Sequence, residues 1–369
     1  MKKIFFLNTC VEWGGGEKWT FETAQELAER GYEVVVGSVK ESELFQRAKA
    51  AGMKTKAVPI KNSLSVLNPV KLFSFVNYLR DEIIEVLFMN LSQDLKFGGI
   101  AGKIAGIERI IYRRGLAIPI RDRFYTRFLL NNCITDIIAN SYTIKKTILQ
   151  NTANWLNENK IKVIYNGIKI KEIEDKINYQ SNIRKEFNIK ADTLLIASIG
   201  RLNKQKGHYY LIKAVKLIKK EIENFKVLII GKGDLEFELK KQVEDLGLSD
   251  YVIFTGFRKD VFTILHQIDF LVHTALWEGC PNIILETMAM ATPIVATGIP
   301  SVSEIMIDKE TGYLTESENV EDIAKMVIKM IRNFDKKQFG QKARELIERE
   351  FDFKEKLNQL EKLIEENNY

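Results

Sequence analysis

The chain has 369 residues, of which 46% are hydrophobic and 28% are charged. This length favours two domains, and this composition is typical of a soluble globular protein. The net charge of +6 permits an anionic ligand or an anionic membrane surface without requiring either. Three cysteines are too few and too scattered for a disulfide framework or a metal cluster, and they suit a reducing cytoplasm. We see no signal peptide and no apolar run long enough to span a bilayer.

The first half of the chain alternates between strand and helix patterns. Residues 4–7 predict a strand, residues 13–16 form a Gly-rich loop, and residues 17–30 carry a helical pattern that stops at Gly31. A strand at 34–36 then completes a βαβ unit. The same alternation predicts a helix at 70–80, strands at 86–89 and 109–112 around a helix at 98–105, and strands at 136–139 and 162–164.

The alternation restarts after a lysine- and glutamate-rich stretch that ends near residue 190. Strands are predicted at 194–198, 227–230, 252–255, 270–273 and 294–297. Helices lie between them, the first at 208–220. Helical sequence at 325–332, 337–350 and 353–366 closes the chain. This order predicts an α/β protein with two Rossmann-like, doubly wound domains that face a central cleft. We expect an N-terminal domain at 1–167 and a C-terminal domain at 168–352, with the last helix (353–369) packed back on the first domain.

The stretch from Trp277 to Ala289 carries two carboxylates, Glu278 and Glu286, eight positions apart. The first falls on a loop and the second on the helix that follows, so both can approach one small polar ligand. A glutamate inside an apolar run is costly to bury without a partner. The alternative is a loop glutamate followed by an exposed helical one.

Three loops follow strands of the second half. In the first, Arg201 and Lys206 are cations beside glycines and a helix start, which suits a diphosphate. This loop is not a P-loop, because the Gly-Lys-Ser/Thr ending is missing. Its alternative is a lysine-rich solvent loop. The second is Gly231-Lys232-Gly233, and the third, residues 255–261, has backbone groups that could read the edge of a base.

These motifs together resemble the family 4 glycosyltransferases of GT-B fold, the "glycosyl transferases group 1" type. The resemblance is carried by Gly200-Arg201-Leu202 with Lys206-Gly207, by Glu278-Gly279 and Pro281 with Glu286, by Ala296-Thr297, Pro300 and Glu304…Thr311-Gly312-Tyr313-Leu314, by Val163-Ile164-Tyr165-Asn166-Gly167, and by Gly14-Gly15-Gly16-Glu17. It implies a retaining, hexosyltransferase-type enzyme that moves a sugar from a UDP- or GDP-sugar to a saccharide or lipid-linked acceptor. Synthesis of cell-surface polysaccharide, lipopolysaccharide or glycolipid is the implied setting. The first domain would then serve the acceptor, and the second would bind the donor.

The resemblance also implies residue roles. Arg201 and Lys206 would neutralise the diphosphate as the glycosidic bond breaks. Glu286 would hold the ribose, and Glu278 would face the sugar. The remaining donor-binding candidates are Gly15, Gly16, Gly200, Gly231, Phe257, Arg258, Gly279, Cys280, Pro281, Asn282 and Ile283.

No Asp-x-Asp occurs in the chain, so we expect no metal and no cofactor beyond the nucleotide sugar as co-substrate. Many family members carry a histidine in the N-terminal domain, but here all three histidines lie in the second half. Arg113 and Arg114 stand where that histidine is expected, and they are candidates for binding donor phosphate or an anionic acceptor. Asp94 is our candidate near the acceptor hydroxyl. Front-face attack with retention needs no strong enzymic base.

Residues 121–130 interleave cations with aromatic residues on a predicted helix. One interpretation is a face that rests on anionic lipid or on a lipid-linked, phosphorylated acceptor. The other is an aromatic stripe that faces the core, with solvated arginines. We expect a cytoplasmic protein, at the inner face of the cytoplasmic membrane under the first interpretation, and no nucleic-acid partner.

Two other functions share this architecture. A non-hydrolysing nucleotide-sugar epimerase is expected to show catalytic histidines in both domains, and the first half has none. A non-catalytic nucleotide-sugar-binding relative would not need Arg201, Lys206, Glu278 and Glu286 together. A dinucleotide-dependent oxidoreductase is disfavoured, because Gly14-Gly15-Gly16 lacks the Gly-x-Gly-x-x-Gly spacing.

Overall fold

The computed structural model describes residues 1–60, 62–333 and 335–366. The chain divides into two compact units. Unit 1 comprises Met1–Asn166 and Lys356–Tyr369, and unit 2 comprises Gly167–Glu355.

The described part of unit 1 is built on a seven-stranded parallel sheet with the order β3-β2-β1-β4-β5-β6-β7. Its strands are β1 (Lys3–Leu7), β2 (Glu33–Ser38), β3 (Lys54–Ala57), β4 (Val86–Met89), β5 (Arg109–Arg114), β6 (Asp136–Ala139) and β7 (Ile161–Val163). The inner strands are largely apolar and buried, as expected for a parallel sheet covered on both faces, although β5 also carries three buried arginines, Arg109, Arg113 and Arg114.

Helices connect these strands. They are α1 (Gly15–Glu29), α2 (Glu43–Ala50), α3 (Pro69–Asp81), α4 (Ser92–Ala105), α5 (Phe124–Phe128) and α6 (Tyr142–Leu149). Local sequence sets several helix ends. The Ser42 and Ser141 side chains accept hydrogen bonds from backbone amides in the first turns of α2 and α6. Helix α4 ends at Gly106, whose φ of 81° is a left-handed conformation.

Unit 2 is built on a parallel sheet with the order β10-β9-β8-β11-β12-β13. Its strands are β8 (Leu194–Ile199), β9 (Phe225–Ile230), β10 (Val252–Gly256), β11 (Phe270–His273), β12 (Ile294–Thr297) and β13 (Tyr313–Thr315). Its helices are α7 (Ile170–Asp175), α8 (Ile183–Glu186), α9 (His208–Ile218), α10 (Glu236–Asp245), α11 (Val261–Gln267), α12 (Asn282–Ala289), α13 (Pro300–Ser303), α14 (Val320–Arg332) and α15 (Lys336–Glu350).

The last helix, α16 (Phe353–Glu365), belongs to unit 1 from Lys356 onward. There its Asn358 Oδ1 accepts from Arg30 at 2.8 Å, and Glu361 forms an ion pair with the same arginine. The Glu365 carboxylate accepts from Tyr32 Oη at 3.0 Å. Residues 367–369 of the predicted last helix lie outside the described residues.

The predicted fold class is confirmed, since both units are α/β with parallel sheets. The edge strands β3 and β13 were not predicted. The first reads Lys54-Thr55-Lys56-Ala57, which is too polar for an apolar-strand pattern, and the second has three residues.

The prediction of one helix across residues 121–130 was wrong. Helix α5 ends at Phe128, and a π-helical turn, Leu129–Cys133, follows it. The core-facing interpretation of its aromatic residues was also wrong, because Phe124 is 88% exposed and Phe128 is 48% exposed. In the residues that the structure describes, no helix combines the length and apolarity needed to cross a bilayer.

Candidate functional site

The candidate site of unit 2 lies where its sheet changes direction. Strands β8 and β11 are neighbours, but the chain runs from β8 to β9 and β10 on one side and from β11 to β12 and β13 on the other. In doubly wound sheets, the carboxyl ends of two such strands frame a crevice that binds ligands. Here the loop 200–207 follows β8 and the loop 274–281 follows β11.

Lys206 and Glu278 meet across this crevice. The Lys206 ammonium forms an ion pair with Glu278 Oε1, and Gln205 Nε2 lies 3.4 Å from Glu278 Oε2. Gln205 Nε2 also donates to the Trp277 carbonyl at 2.8 Å, and the amide of Leu276 donates to the Gln205 carbonyl at 2.8 Å. The two loops are therefore held together by backbone and side-chain bonds.

Glu278 is an anion at neutral pH. Burial alone would raise its pKa, but the adjacent His273 imidazole and the Lys206 ammonium hold the pKa at about 2. His273 is itself buried, and burial lowers the pKa of its imidazole. Its Nε2 lies 3.6 Å from Glu278 Oε1, longer than an ordinary hydrogen bond. We therefore attribute the low pKa of Glu278 chiefly to the charge of Lys206.

Glycines let the loops at this edge approach one another. A Cβ on Gly207 would lie 2.0 Å from the Thr274 carbonyl oxygen, and one on Gly231 would lie 1.9 Å from the Gly200 carbonyl oxygen. Both glycines also have positive φ, 63° and 145° respectively. Backbone bonds join the three predicted loops, from Leu202 N to the Lys232 carbonyl and from Gly231 N to the Gly256 carbonyl, each 2.9 Å long.

The loop 274–281 leads directly into α12. Helix α12 begins at Asn282, after Pro281, so its N-terminal amides and its dipole favour an anion at the end of this loop. Gly279 and Pro281 are buried, and Cys280, Asn282 and Ile283 are half-buried. Glu286 is half-buried in the second turn of α12.

The other predicted donor contacts differ in their surroundings. Arg201 is exposed on the 200–207 loop, and Phe257 is 64% exposed after β10. Arg258 forms ion pairs with both Asp260, at 2.7 Å, and Glu186, and these carboxylates raise the pKa of its guanidinium. Its charge is thus already compensated within unit 2.

Unit 1 has its own change of sheet direction, between β1 and β4, and a buried polar cluster occupies it. Asn8 Nδ2 donates to Glu17 Oε1 at 3.1 Å and to Thr20 Oγ1 at 3.2 Å. Asn90 Nδ2 donates to the same Thr20 oxygen at 2.7 Å and to the Gly16 carbonyl at 3.3 Å. These bonds fix the start of α1, where Gly15 and Gly16 form its first turn.

Gly16 faces open space. A Cβ built on it would meet no atom within 4 Å. Packing within the described residues therefore gives no reason for a glycine at this position.

The structure places Asp94 in the interior of unit 1. Its Oδ1 accepts from Thr9 Oγ1 at 2.5 Å, and its Oδ2 accepts from the amides of Thr9 and Leu91 at 3.3 and 3.1 Å. Burial raises the pKa of Asp94 to about 7, against these hydrogen bonds, and the Glu17 carboxylate adds to the rise. The side chain has no solvent exposure. Its contact with the acceptor stays a prediction.

Arg113 and Arg114 are both buried in unit 1. The Arg113 guanidinium stacks 4.1 Å from the Trp19 ring and donates to Asn166 Oδ1 at 2.7 Å. The Arg114 guanidinium donates to Tyr112 Oη at 3.2 Å and to the Ile118 carbonyl, and it lines a cavity.

Sequence reasoning did not single out Asn8, Thr9, Asn90, Gln205 or His208. The signal that could have found the first three is a polar residue directly after an apolar strand, beside the Gly-rich loop. His208 is buried next to Ser198, its Nδ1 3.2 Å from Ser198 Oγ, and burial lowers the pKa of its imidazole to about 3. No three His, Cys, Asp or Glu side chains within the described ranges are grouped so that they could hold a metal ion.

Two Rossmann-like units, one with cationic and acidic loops at its sheet switch point, have the architecture of the GT-B glycosyltransferases. Two family models match the chain. "Glycosyltransferase Family 4" matches residues 13–172, and "Glycosyl transferases group 1" matches residues 180–346. The chain therefore belongs to the family 4 glycosyltransferases of group 1 type.

Relatives of known sequence and structure agree with this assignment. An uncharacterized glycosyltransferase of Methanocaldococcus jannaschii is 31% identical over 50% of this chain and 45% of its own length. A UDP-Gal:alpha-D-GlcNAc-diphosphoundecaprenol alpha-1,3-galactosyltransferase of Escherichia coli is 24% identical over 73% of this chain and 72% of its own length. The chain spans about half the length of the first curated relatives that it matches.

A solved structure shares the fold. The Anabaena HepE protein in complex with UDP and glucose superposes with a TM-score of 0.84 at 22% identity, over 99% of each chain.

Proposed function

We propose that this chain transfers a hexosyl group from a UDP- or GDP-sugar to a saccharide or lipid-linked acceptor, with retention of configuration and without a metal ion. The observation that carries the proposal is the Lys206–Glu278 pair at the switch point of unit 2, flanked by Arg201 and by the start of α12. The relative from Escherichia coli, named for a UDP-sugar donor and a diphosphoundecaprenol-linked acceptor, supports the substrate classes. The fold shared with a UDP complex supports the nucleotide.

In this mechanism the leaving diphosphate is stabilised by cations. Lys206 keeps two of its three ammonium protons for the diphosphate while Glu278 holds the third, so the cation is aimed before the donor arrives. Arg201 and the N-terminal amides of α12 add positive charge at the same edge of the sheet. These groups supply the stabilisation that a metal ion provides in other transferases.

The rest of the donor contacts unit 2. Glu286, one turn into α12, accepts hydrogen bonds from the ribose diol, and Phe257 offers an exposed ring on which the base stacks. The backbone from Gly279 to Ile283 meets the sugar and its phosphates.

The acceptor contacts unit 1, and the reaction runs in the cytoplasm at the inner face of the membrane, in cell-surface polysaccharide or glycolipid synthesis. The names of relatives that act on diphosphoundecaprenol-linked saccharides support this setting. Asp94, Arg113 and Arg114 are the acceptor-side candidates.

The test is a transfer assay with a panel of nucleotide sugars and membrane-extracted acceptors, run with and without a chelator. Release of nucleoside diphosphate that depends on acceptor, unchanged by the chelator, is the expected result. Glu286→Ala should lower turnover at least about 100-fold, since the carboxylate proposed to bond the ribose is lost. Glu238→Ala, at an exposed helical glutamate on α10, is the matched control and should keep full activity. Full activity of the Glu286 variant would refute the site, and loss of turnover under chelation would refute the metal-free mechanism.

A further inference from the structure

Unit 1 exposes a cluster of large apolar side chains after β5. Leu116 is 55% exposed, Ile118 50%, Phe124 88%, Tyr125 42% and Phe128 48%. These five fall within 13 consecutive residues, 116–128. Soluble proteins seldom expose apolar side chains in such a group, and groups of this kind mark contact sites.

Cations surround these side chains. Arg121 and Arg123 are exposed between them, and Lys96, on α4, places its ammonium 5.1 Å from the Tyr125 ring. Arg127 is different, because Asp122 lies 2.7 Å from it and compensates its charge. We call the five apolar residues together with Arg121, Arg123 and Lys96 the aromatic–basic surface.

A cavity of about 220 Å³ opens within this surface, and its largely apolar lining includes cations. Lys96, Arg114 and Arg121 all line it, and Arg114 is 93% buried. The hydrogen bonds described for the Arg114 guanidinium go to two neutral oxygens, and its Nε has no partner among the residues that the structure describes. A buried guanidinium without a carboxylate calls for an anion, so this cavity suits a phosphate group.

Helix α3 and the segment before it also expose apolar side chains. Helix α4 packs against both α3 and the Leu129–Cys133 turn. Before and within α3, four more apolar residues are more than half exposed: Leu64, Leu67, Val70 and Phe73. Exposed apolar side chains therefore flank α4 on both sides.

We propose that the aromatic–basic surface docks on an anionic phospholipid bilayer, with a lipid phosphate in the Arg114 cavity. Protruding aromatic rings that alternate with cations match the apolar depth and the negative charge of such an interface. A nucleic acid would be met by cations but would leave Leu116, Ile118 and Phe128 in water. A second copy of the chain would have to bring a carboxylate to Arg121 and Arg123. This inference rests on the proposed function, whose location at the inner face of the membrane it deepens by naming the surface that meets the lipid. Vesicle binding requires neither donor nor acceptor, so a failed vesicle test would leave the proposed transfer standing.

The test is co-sedimentation of the full chain with vesicles of phosphatidylcholine alone, or of phosphatidylcholine mixed with phosphatidylglycerol in equal parts. The expected result is binding to the mixed vesicles, weakened by salt, and little binding to phosphatidylcholine alone. Arg121→Gln with Arg123→Gln should weaken binding about twenty-five-fold, at about five-fold per cation. Phe124→Ser should weaken it about ten-fold, because an inserted ring is lost.

Two matched variants of unit 2 serve as controls. Phe237→Ser removes an aromatic ring that is 77% exposed on α10, and Arg349→Gln removes an exposed arginine of α15. Both should bind vesicles as the unchanged protein does. Equal binding to both kinds of vesicle, or surface variants that bind like the controls, would overturn the proposal. Light scattering on the same samples tests whether a second copy of the chain occupies this surface. If the particle mass of Phe124→Ser differs from that of the unchanged protein, a second copy is the occupant and the proposal is overturned.

Discussion

Replacing Lys206 by methionine should reverse the pH dependence that Glu278 gives to the free energy of unfolding. In the unchanged protein Glu278 stabilises the fold more as pH rises, and in the variant it should do the opposite. Methionine keeps an unbranched stem of similar size and removes the charged amine. The Glu278 side chain, only 11% exposed, would then be an anion without its ion-pair partner in unit 2. An uncompensated buried charge is far more destabilising than the loss of a surface ion pair.

The magnitude follows from the pKa of Glu278. It stands at about 2 in the folded chain, against an ordinary value of 4.5. At about 1.4 kcal/mol per pH unit, this lowering stabilises the folded state by about 3 kcal/mol at neutral pH. Lys206→Met should therefore lower the free energy of unfolding by about 3 kcal/mol at pH 7, the lower end of the range for a broken buried pair.

The sign of the pH dependence distinguishes this explanation from simple loss of packing. In the unchanged protein, the contribution of Glu278 is present above pH 4.5 and is lost as the pH falls toward 2. In the variant, burial raises the pKa of Glu278 above its ordinary value. The folded state then binds the extra proton, so stability falls as pH rises above about 4.5.

Urea unfolding from about pH 3 to about pH 8 measures both the lost stability and the opposite pH dependence of the two proteins. Lys204→Met, at an exposed lysine two positions away, is the matched control and should cost less than about 0.5 kcal/mol. The double variant Lys206→Met/Glu278→Gln should recover much of the lost stability and lose the pH dependence, because the uncompensated charge is gone. The reasoning fails if the double variant is no more stable than Lys206→Met, or if Lys204→Met costs as much.

Two further substitutions test other parts of the structure. Because Asp94 has a raised pKa of about 7 against an ordinary 3.8, its stabilisation is fully present below pH 3.8 and is lost as pH rises through 7. The free energy of unfolding of the unchanged protein should fall relative to that of Asp94→Asn across this window, and a constant difference would contradict the raised pKa. Gly231→Ala should destabilise unit 2 by more than about 3 kcal/mol in urea unfolding, since its Cβ would overlap the Gly200 carbonyl, whereas Gly247→Ala, with φ of 62° and open space around it, should cost only about 1 kcal/mol. If the two substitutions lower the free energy of unfolding equally, the positive φ alone sets the cost and the predicted overlap with the Gly200 carbonyl is wrong.

The gathering of the unit 2 loops at one edge was largely predictable from the sequence, because parallel strands bring the loops after their carboxyl ends to one edge. Strand assignment alone therefore places the loop of Lys206 and the loop of Glu278 together. The direct ion pair between them was not predicted. It joins residues 72 positions apart, and only the order of the strands, with β11 beside β8, makes them adjacent.

Unit 1 was harder to predict, because its polar residues are distinguished by burial rather than by type. The expectation that Asp94 lies near an acceptor hydroxyl stays a prediction, and the sequence did not indicate that this residue is fully buried and holds Thr9 and the start of α4. The orientation of the 121–130 aromatic residues was equally undetermined. A five-residue helix followed by a π-turn breaks the 3.6-residue period on which a prediction of facing depends.

The two perturbed carboxylates define which chemistry each unit can support. A pKa of about 2 keeps Glu278 ionised at any physiological pH, so it neither donates a proton nor accepts one effectively. What it can do is fix a cation, and the proposed diphosphate leaving group needs positive charge more than it needs a proton. Asp94, with a pKa of about 7, has the proton affinity of a general base, but its carboxylate reaches Thr9 and the Leu91 amide rather than solvent. If a proton leaves the acceptor through Asp94, Thr9 Oγ1 must relay it, and Thr9→Val should then abolish transfer while nucleotide binding by unit 2 is unchanged.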